Sequence, residues 1–177
     1  MQPLAVERCK CIDEAGITLA MPRLLGRAPR GERVVDTVPQ NYGPNVTMIG
    51  ALSLQGLDAV MTVDGATDGE VLRAYVEPVL GPTLVAGEVG MLDNLGAHKV
   101  AGSRESIEAR GAQVLYVPPD SPDLSPIELC WSKVKTALRK AKARSREILE
   151  RALEQVVATV TAGDARHWFA HCGYTVQ

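Results

Sequence analysis

The chain has 177 residues, a formal net charge of −2, 46% hydrophobic residues and 23% charged residues. A chain of this length buries roughly 70% of its unfolded surface, so it reads as one domain that folds without disulfide staples. These values exclude a disordered chain, a collagen-like repeat and a small disulfide framework. No run approaches about 18 uninterrupted apolar residues, and the first ten residues carry Glu7, Arg8 and Lys10 without an apolar stretch. Neither a membrane span nor a signal peptide is expected, and cytoplasmic residence follows.

The predicted elements begin with a short strand over residues 6–12 that ends at Asp13-Glu14. A second apolar stretch, Ile17 to Met21, follows Gly16, so a hairpin around residues 14–16 is expected. Residues 22–44 are punctuated by Gly and Pro without periodicity and form a long loop, a length usually kept for function. Val46 to Leu52 and Leu57 to Val63 read as strands that turn at Gln55-Gly56. Thr67-Asp68-Gly69-Glu70 has the form of a capping box, and the helix it opens carries Val71, Leu72, Tyr75, Val76, Val79 and Leu80 until Gly81-Pro82.

Val89 to Leu92 is a short strand running into Asp93. A helix over 104–110, capped by Ser103 and closed by Gly111, leads to a strand over 113–117. Pro118-Pro119 and the segment 122–126 hold the chain extended. A long helix then runs from about Pro126 to Ala141, with Ile127, Trp131, Val134, Leu138 and Ala141 on one stripe. Helices over 146–160 and 165–170 close the chain. The order predicts an α/β protein: a mixed five-stranded sheet with helices on both faces and extra C-terminal helices. That is the element order of the ribonuclease H-like fold.

Three acids stand at element ends: Asp13 after the first strand, Asp93 after the fourth, and Glu128 in the first turn of the long helix. Ligand sites in open α/β sheets gather at such edges. Three converging carboxylates repel unless cations neutralise them, and hard divalent ions with oxygen ligands, Mg²⁺ above all, suit that set. Two such ions about 4 Å apart can serve both oxygens of a phosphoryl transfer. Taken singly, each acid also fits an ordinary cap. The adjacent Glu14 points to the opposite face of its strand and reads as structural.

Cys9, Cys11, Cys130 and Cys172 read as free thiols. Cys9-x-Cys11 with His167, His171 and Cys172 matches no standard zinc spacing. Charge is unevenly spread. Lys133, Lys135, Arg139, Lys140, Lys142, Arg144 and Arg146 follow one another with no acid between Leu129 and Arg146, and Arg23, Arg27, Arg30 and Arg33 cluster in the long loop. Such stripes are the footprint of a phosphate backbone or, alternatively, a solvated helix face. Lys135 and Arg139 lie 7 and 11 residues after Glu128, on the face that carries it.

Three segments carry a family resemblance: Ile12-Asp13-Glu14-Ala15-Gly16, then Leu92-Asp93-Asn94-Leu95-Gly96-Ala97-His98-Lys99, then Pro119 to Glu128 with Trp131 and Lys135. They resemble the three catalytic motifs of mariner-superfamily DDE transposases, and more narrowly the bacterial insertion-sequence branch. The 34 residues between Asp93 and Glu128 match the separation typical of that superfamily. The resemblance extends over nearly the whole chain, including Gly50-Ala51 and Trp168 to Tyr174.

The resemblance implies that Asp13, Asp93 and Glu128 are the catalytic, metal-binding acids of a ribonuclease H-like core. It implies two Mg²⁺ ions, replaceable by Mn²⁺. The implied reaction is DNA strand cleavage at insertion-sequence ends, then attack of a 3′-hydroxyl on target DNA at a TA dinucleotide. Implied partners are double-stranded DNA and a second copy in a homodimer, with no membrane, in a cytoplasmic, nucleoid-associated setting. Phosphate contacts fall to Lys99, Lys135, Arg139, Arg27 and Arg30. Asn94 would hydrogen-bond a ligating carboxylate, and His98 would approach the DNA or a metal-bound water; a structural role competes for each. Trp131 continues the Ile127 stripe and anchors the helix that positions Glu128.

Two residues depart from the family pattern: Asp120 stands where an aromatic is usual, and Ser125 where Asn is usual. The whole of residues 1–177 reads as one catalytic domain. With Asp13 so early, the helix-turn-helix region that recognises transposon ends is expected to be supplied by an upstream frame or to be missing. Two other functions share the same residues: a non-catalytic DNA-binding or dimerising remnant that regulates an intact transposase, and another ribonuclease H-like nuclease.

Overall fold

Alternation along one strand sorts the molecule into its two cores. Cys9, Cys11, Ala15 and Ile17 are buried with one hydrophobic cluster, while Ile12 is buried with the other. The structure, a computed structural model, describes residues 5–38, 40, 43, 45–93, 102–118 and 121–176. The central strand β1 (Cys9–Ile17) pairs antiparallel with β2 (Val46–Ser53), which pairs antiparallel with β3 (Gly56–Asp64). On its other side β1 runs parallel to β4 (Val89–Leu92), and β4 runs parallel to β5 (Gln113–Tyr116). The strand order is β3-β2-β1-β4-β5.

Helices cover both faces. Helices α1 (Gly69–Tyr75) and α2 (Ser103–Glu108) lie on one, burying Leu72, Tyr75 and Ile107. Helices α3 (Pro126–Ala141), α4 (Arg146–Val157) and α5 (Ala162–His171) lie on the other. There Ile127, Trp131, Val134 and Leu138 of the predicted α3 stripe are buried, together with Leu149, Leu153 and Phe169. Among the described residues no helix is long and apolar enough to cross a membrane.

Several local expectations are corrected. No hairpin forms at residues 14–16: β1 continues unbroken to Ile17, because Ala15 and Ile17 keep burying the same face and pair with Met48 and Val46. Asp13 therefore lies inside a strand rather than after one. The N-cap of α1 is Asp68, not Thr67; Asp68 Oδ1 accepts from the amides of Glu70 (3.0 Å) and Val71 (2.9 Å). The helix does not run regularly to Gly81. Pro78 lacks the N–H that α-helical pairing needs, and the chain passes into a π turn over Val76–Leu80. Gly102 rather than Ser103 precedes α2, its amide donating to the Glu105 carboxylate at 2.6 Å.

The long loop between β1 and β2 is tied to the far end of α3. The Arg23 guanidinium donates to the Lys140 carbonyl (3.1 Å), Lys142 to Asp36 (2.6 Å) and Arg144 to the Leu19 carbonyl (2.7 Å). Lys142 ends α3 in the left-handed region with φ of 51°, which turns the chain toward α4.

Candidate active site

The β1–β4 ladder ends at Cys11 opposite Met91, so Asp13 and Asp93 each lie two residues beyond the last pair on adjacent parallel strands. The site is built where β4 stops pairing while β1 runs on beside β2. Alternation puts Asp13 on the face of Cys11 and Ala15, the face that α3 covers. Pro126 opens α3 at its first helical position, as predicted, and Glu128 sits in the first turn, exposed to solvent. Ile127, Cys130 and Trp131 anchor that turn in the core.

Asp13 is the electrostatic centre of the group. Burial raises its pKa most, the carboxylates of Glu128 and Glu14 raise it further, and hydrogen bonds from the Glu14 amide and the Trp131 indole oppose them. The result is a carboxyl pushed up to about 7. Trp131 Nε1 donates to Asp13 Oδ2 at 3.1 Å. Gly50 of β2 is the register partner of Asp13, and a Cβ there would stand 2.9 Å from the Trp131 ring. The β2–β3 ladder shifts register at this point, between Ile49 and Ala51, and Ala59 in β3 has a φ of 48°. The indole contact was not foreseen from sequence. The i,i+3 spacing of Glu128 and Trp131 was its one visible sign.

Hard oxygen donors and a carboxyl whose charge is disfavoured by its neighbours fit a divalent cation. Among the described residues, however, no three His, Cys, Asp or Glu side chains stand close enough to hold one ion. That result covers all three acids, and it also leaves the grouping of Cys9 and Cys11 with His167, His171 and Cys172 without a metal site. The thiols are free, with Cys9, Cys11 and Cys130 buried; burial pushes Cys9 up to about 11 and Cys130 to about 12, so they are unreactive. Asn94, His98, Lys99 and Asp120 lie outside the described residues.

The basic stripe divides in two. Lys133 donates to Asp164 (2.7 Å) and to the Thr159 carbonyl (2.9 Å), and Arg146 joins Asp64, Thr62 and Glu150. With Lys142 and Arg144 tied to the long loop, these four hold the fold together. Lys135 and Arg139 enter no ion pair among the described residues. Arg139 lines an open groove of about 500 Å³ with Arg23, Leu24, Leu25, Thr136 and Lys140. Arg27 and Arg30 are exposed on the loop.

A mixed sheet in this order, with acids at neighbouring positions of its two central parallel strands and on the following long helix, defines a ribonuclease H-like domain. Residues 8–150 match the family described as DDE superfamily endonuclease, and the chain belongs to that family. No curated protein sequence matches it. Among solved structures, it resembles the Mos1 transposase paired-end complex with left transposon end: TM-score 0.74 and 16% identity, over 95% of this chain and 52% of that one. The Mos1 mariner paired-end complex with Mn gives a TM-score of 0.71 at 16% identity, over 97% and 53%. The Mos1 transposase catalytic domain with Raltegravir and Mg gives 0.69 at 15% identity, over 99% and 89%. The chain thus spans about half the length of the transposases in the first two complexes and most of the isolated catalytic domain.

Proposed function

We infer that this chain is the catalytic domain of a metal-dependent DNA transposase, which cleaves DNA at the ends of a mobile element and joins the freed 3′-hydroxyl to target DNA. The observation that carries the reading is the placement of Asp13 and Asp93 two residues beyond the last β1–β4 pair, with Glu128 near enough to raise the Asp13 pKa, within a stretch that matches the DDE endonuclease family. Asp13, Asp93 and Glu128 would hold Mg²⁺ or Mn²⁺, the ions named with the similar Mos1 structures. Bound there, divalent cations supply Lewis acidity to the attacking and leaving oxygens of a phosphodiester. The chain's own part is positional. β1 and β4 carry two of the acids at corresponding positions of adjacent strands, and the first turn of α3 brings the third near Asp13. Lys135 and Arg139 extend along α3 to about 16 Å from Glu128 at 1.5 Å per residue, a path for the phosphates of a bound duplex.

Double-stranded transposon-end DNA, a TA target and a second copy of the chain are the proposed partners, with end recognition by a helix-turn-helix region encoded upstream. Asn94, His98 and Lys99 belong to the same proposal, as do Arg27 and Arg30. The bacterial insertion-sequence branch remains the proposed source. A second reading, a regulatory chain that binds DNA or an intact transposase without cutting, draws on one geometric fact: among the described residues, no three acids lie within reach of a single ion.

The experiment is nicking of supercoiled plasmid in Mn²⁺ by the wild type, Asp93→Asn and Glu128→Gln, each checked for fold by circular dichroism. The catalytic reading expects nicking that both substitutions abolish. Nicking that survives either substitution refutes the triad. A folded wild type that leaves the plasmid intact favours the regulatory reading.

A further inference from the structure

Trp131 is almost completely buried, yet its one polar atom is spent on the candidate site. Nε1 donates to Asp13 Oδ2 at 3.1 Å, across 118 residues of sequence. A residue that only filled the α3 stripe would need no donor at that end of the ring; phenylalanine would do. The surroundings are shaped for the contact. Gly50, opposite Asp13 on β2, leaves the space that the far edge of the indole occupies, with a Cβ there lying 2.9 Å from Cη2. Glu128 and Trp131 are three residues apart, so one turn of α3 carries both the third acid and the donor that grips the first.

We propose that Trp131 is a positioning residue: its indole N–H orients the Asp13 carboxylate and couples that orientation to α3, and therefore to Glu128. The proposal rests on reading Asp13 as a cation-holding acid. The logic is that of any ligand carboxylate held by an outer hydrogen bond, whose loss typically weakens metal affinity about 10–100-fold. It also explains why a buried polar ring tip sits at the edge of the sheet rather than among apolar atoms alone.

The test uses Trp131→Phe, which keeps a ring in the stripe and deletes the N–H. Mn²⁺ is titrated while the melting temperature is followed, so the readout does not depend on turnover. The expected result is a folded variant that needs at least about tenfold more Mn²⁺ for the wild-type rise in melting temperature. A folded Trp131→Phe that titrates like the wild type overturns the proposal. Asp13→Asn separates the two layers of inference. If it loses the Mn²⁺ response while Trp131→Phe keeps it, only the role of Trp131 falls; if it too responds normally, Asp13 holds no ion and the site reading falls as well.

Should Trp131→Phe fail to fold, the wild type carries the test. In a ¹H–¹⁵N spectrum the Trp131 indole resonance is expected to move on saturation with Mg²⁺. A resonance that stays in place overturns the coupling.

Discussion

Gly50 and Asp13 face each other across the β1–β2 ladder, and the missing side chain at Gly50 is what admits the Trp131 ring beside the Asp13 carboxylate. Two residues distant in sequence are thereby made parts of one construction, with a third residue reaching in from α3. A position in a buried strand that would ordinarily favour a β-branched side chain is held empty for a ring.

Gly50→Ala is therefore expected to destabilise, although alanine normally improves a strand position. The added methyl would stand 2.9 Å from Trp131 Cη2 and 3.3 Å from Leu57 Cδ1, so the ring must shift. Overpacking of this kind costs about 1–3 kcal/mol. Urea unfolding measures it, and a Gly50→Ala protein as stable as the wild type would show that the ring moves freely.

On the opposite face, Lys10 is buried to 2% exposure, with Nζ 2.9 Å from the Thr83 carbonyl, 3.3 Å from Asp58 and 3.9 Å from Glu88. Burial raises the Asp58 pKa, and Lys10 pulls it back down. Lys10→Met leaves Asp58 without its cation; Asp58 is 43% exposed, so solvent screens the pair and the loss is about 1 kcal/mol. The loss should depend on pH in a definite direction. A carboxyl whose folded pKa exceeds its unfolded value contributes full stability below the unfolded value and loses it as pH rises through the folded one. Lys10→Met is thus expected to fall further below the wild type at about pH 8 than at about pH 5, as thermal unfolding at the two pH values would reveal. A constant deficit would mean that Asp58 stays in one protonation state.

The two halves of the basic stripe should respond oppositely to substitution. Lys135→Gln and Arg139→Gln are expected to leave stability unchanged, weaken duplex binding and reduce the slope of log affinity against log salt by about 0.9 for each lost phosphate contact. Lys133→Gln is expected to leave that slope alone and lower stability, because Lys133 grips Asp164, which also caps α5. Its hydrogen bonds, that from Lys133 first, hold the Asp164 carboxyl down to about 2. That contribution is present above the unfolded pKa and disappears as pH falls through about 2. Binding isotherms at several salt concentrations, paired with melting curves, distinguish the halves. Equal salt slopes for all three variants would refute the division.

Much of this architecture was legible in the residue pattern. Pro126 marks the start of α3 and its apolar stripe predicts which side is buried, because a helix cap and a 3.6-residue period are local signals. The strands at β2, β3 and β4 are legible for the same reason, as is the place of Glu128 in the first turn of α3. The length of β1 was not. Gly16 looks like a turn residue, and only pairing of Ala15 and Ile17 with β2 carries the strand through it. Nor was the fate of the basic run: Lys133, Lys142, Arg144 and Arg146 resemble Lys135 and Arg139 in sequence, but their partners come from α5, the long loop and β3.

The division has a physical basis. Periodicity, caps and chain breakers act within a few residues, so element type, the two buried faces and the order of the acids were already determined by the chain's own pattern. Which cation is spent on structure, and which ring tip reaches a carboxylate 118 residues away, depend on atoms that become neighbours only when the sheet is closed under its helices. Hydrogen bonds and ion pairs are short-ranged and directional, so the folded arrangement alone decided that Trp131 touches Asp13 and that Gly50 must make room for it.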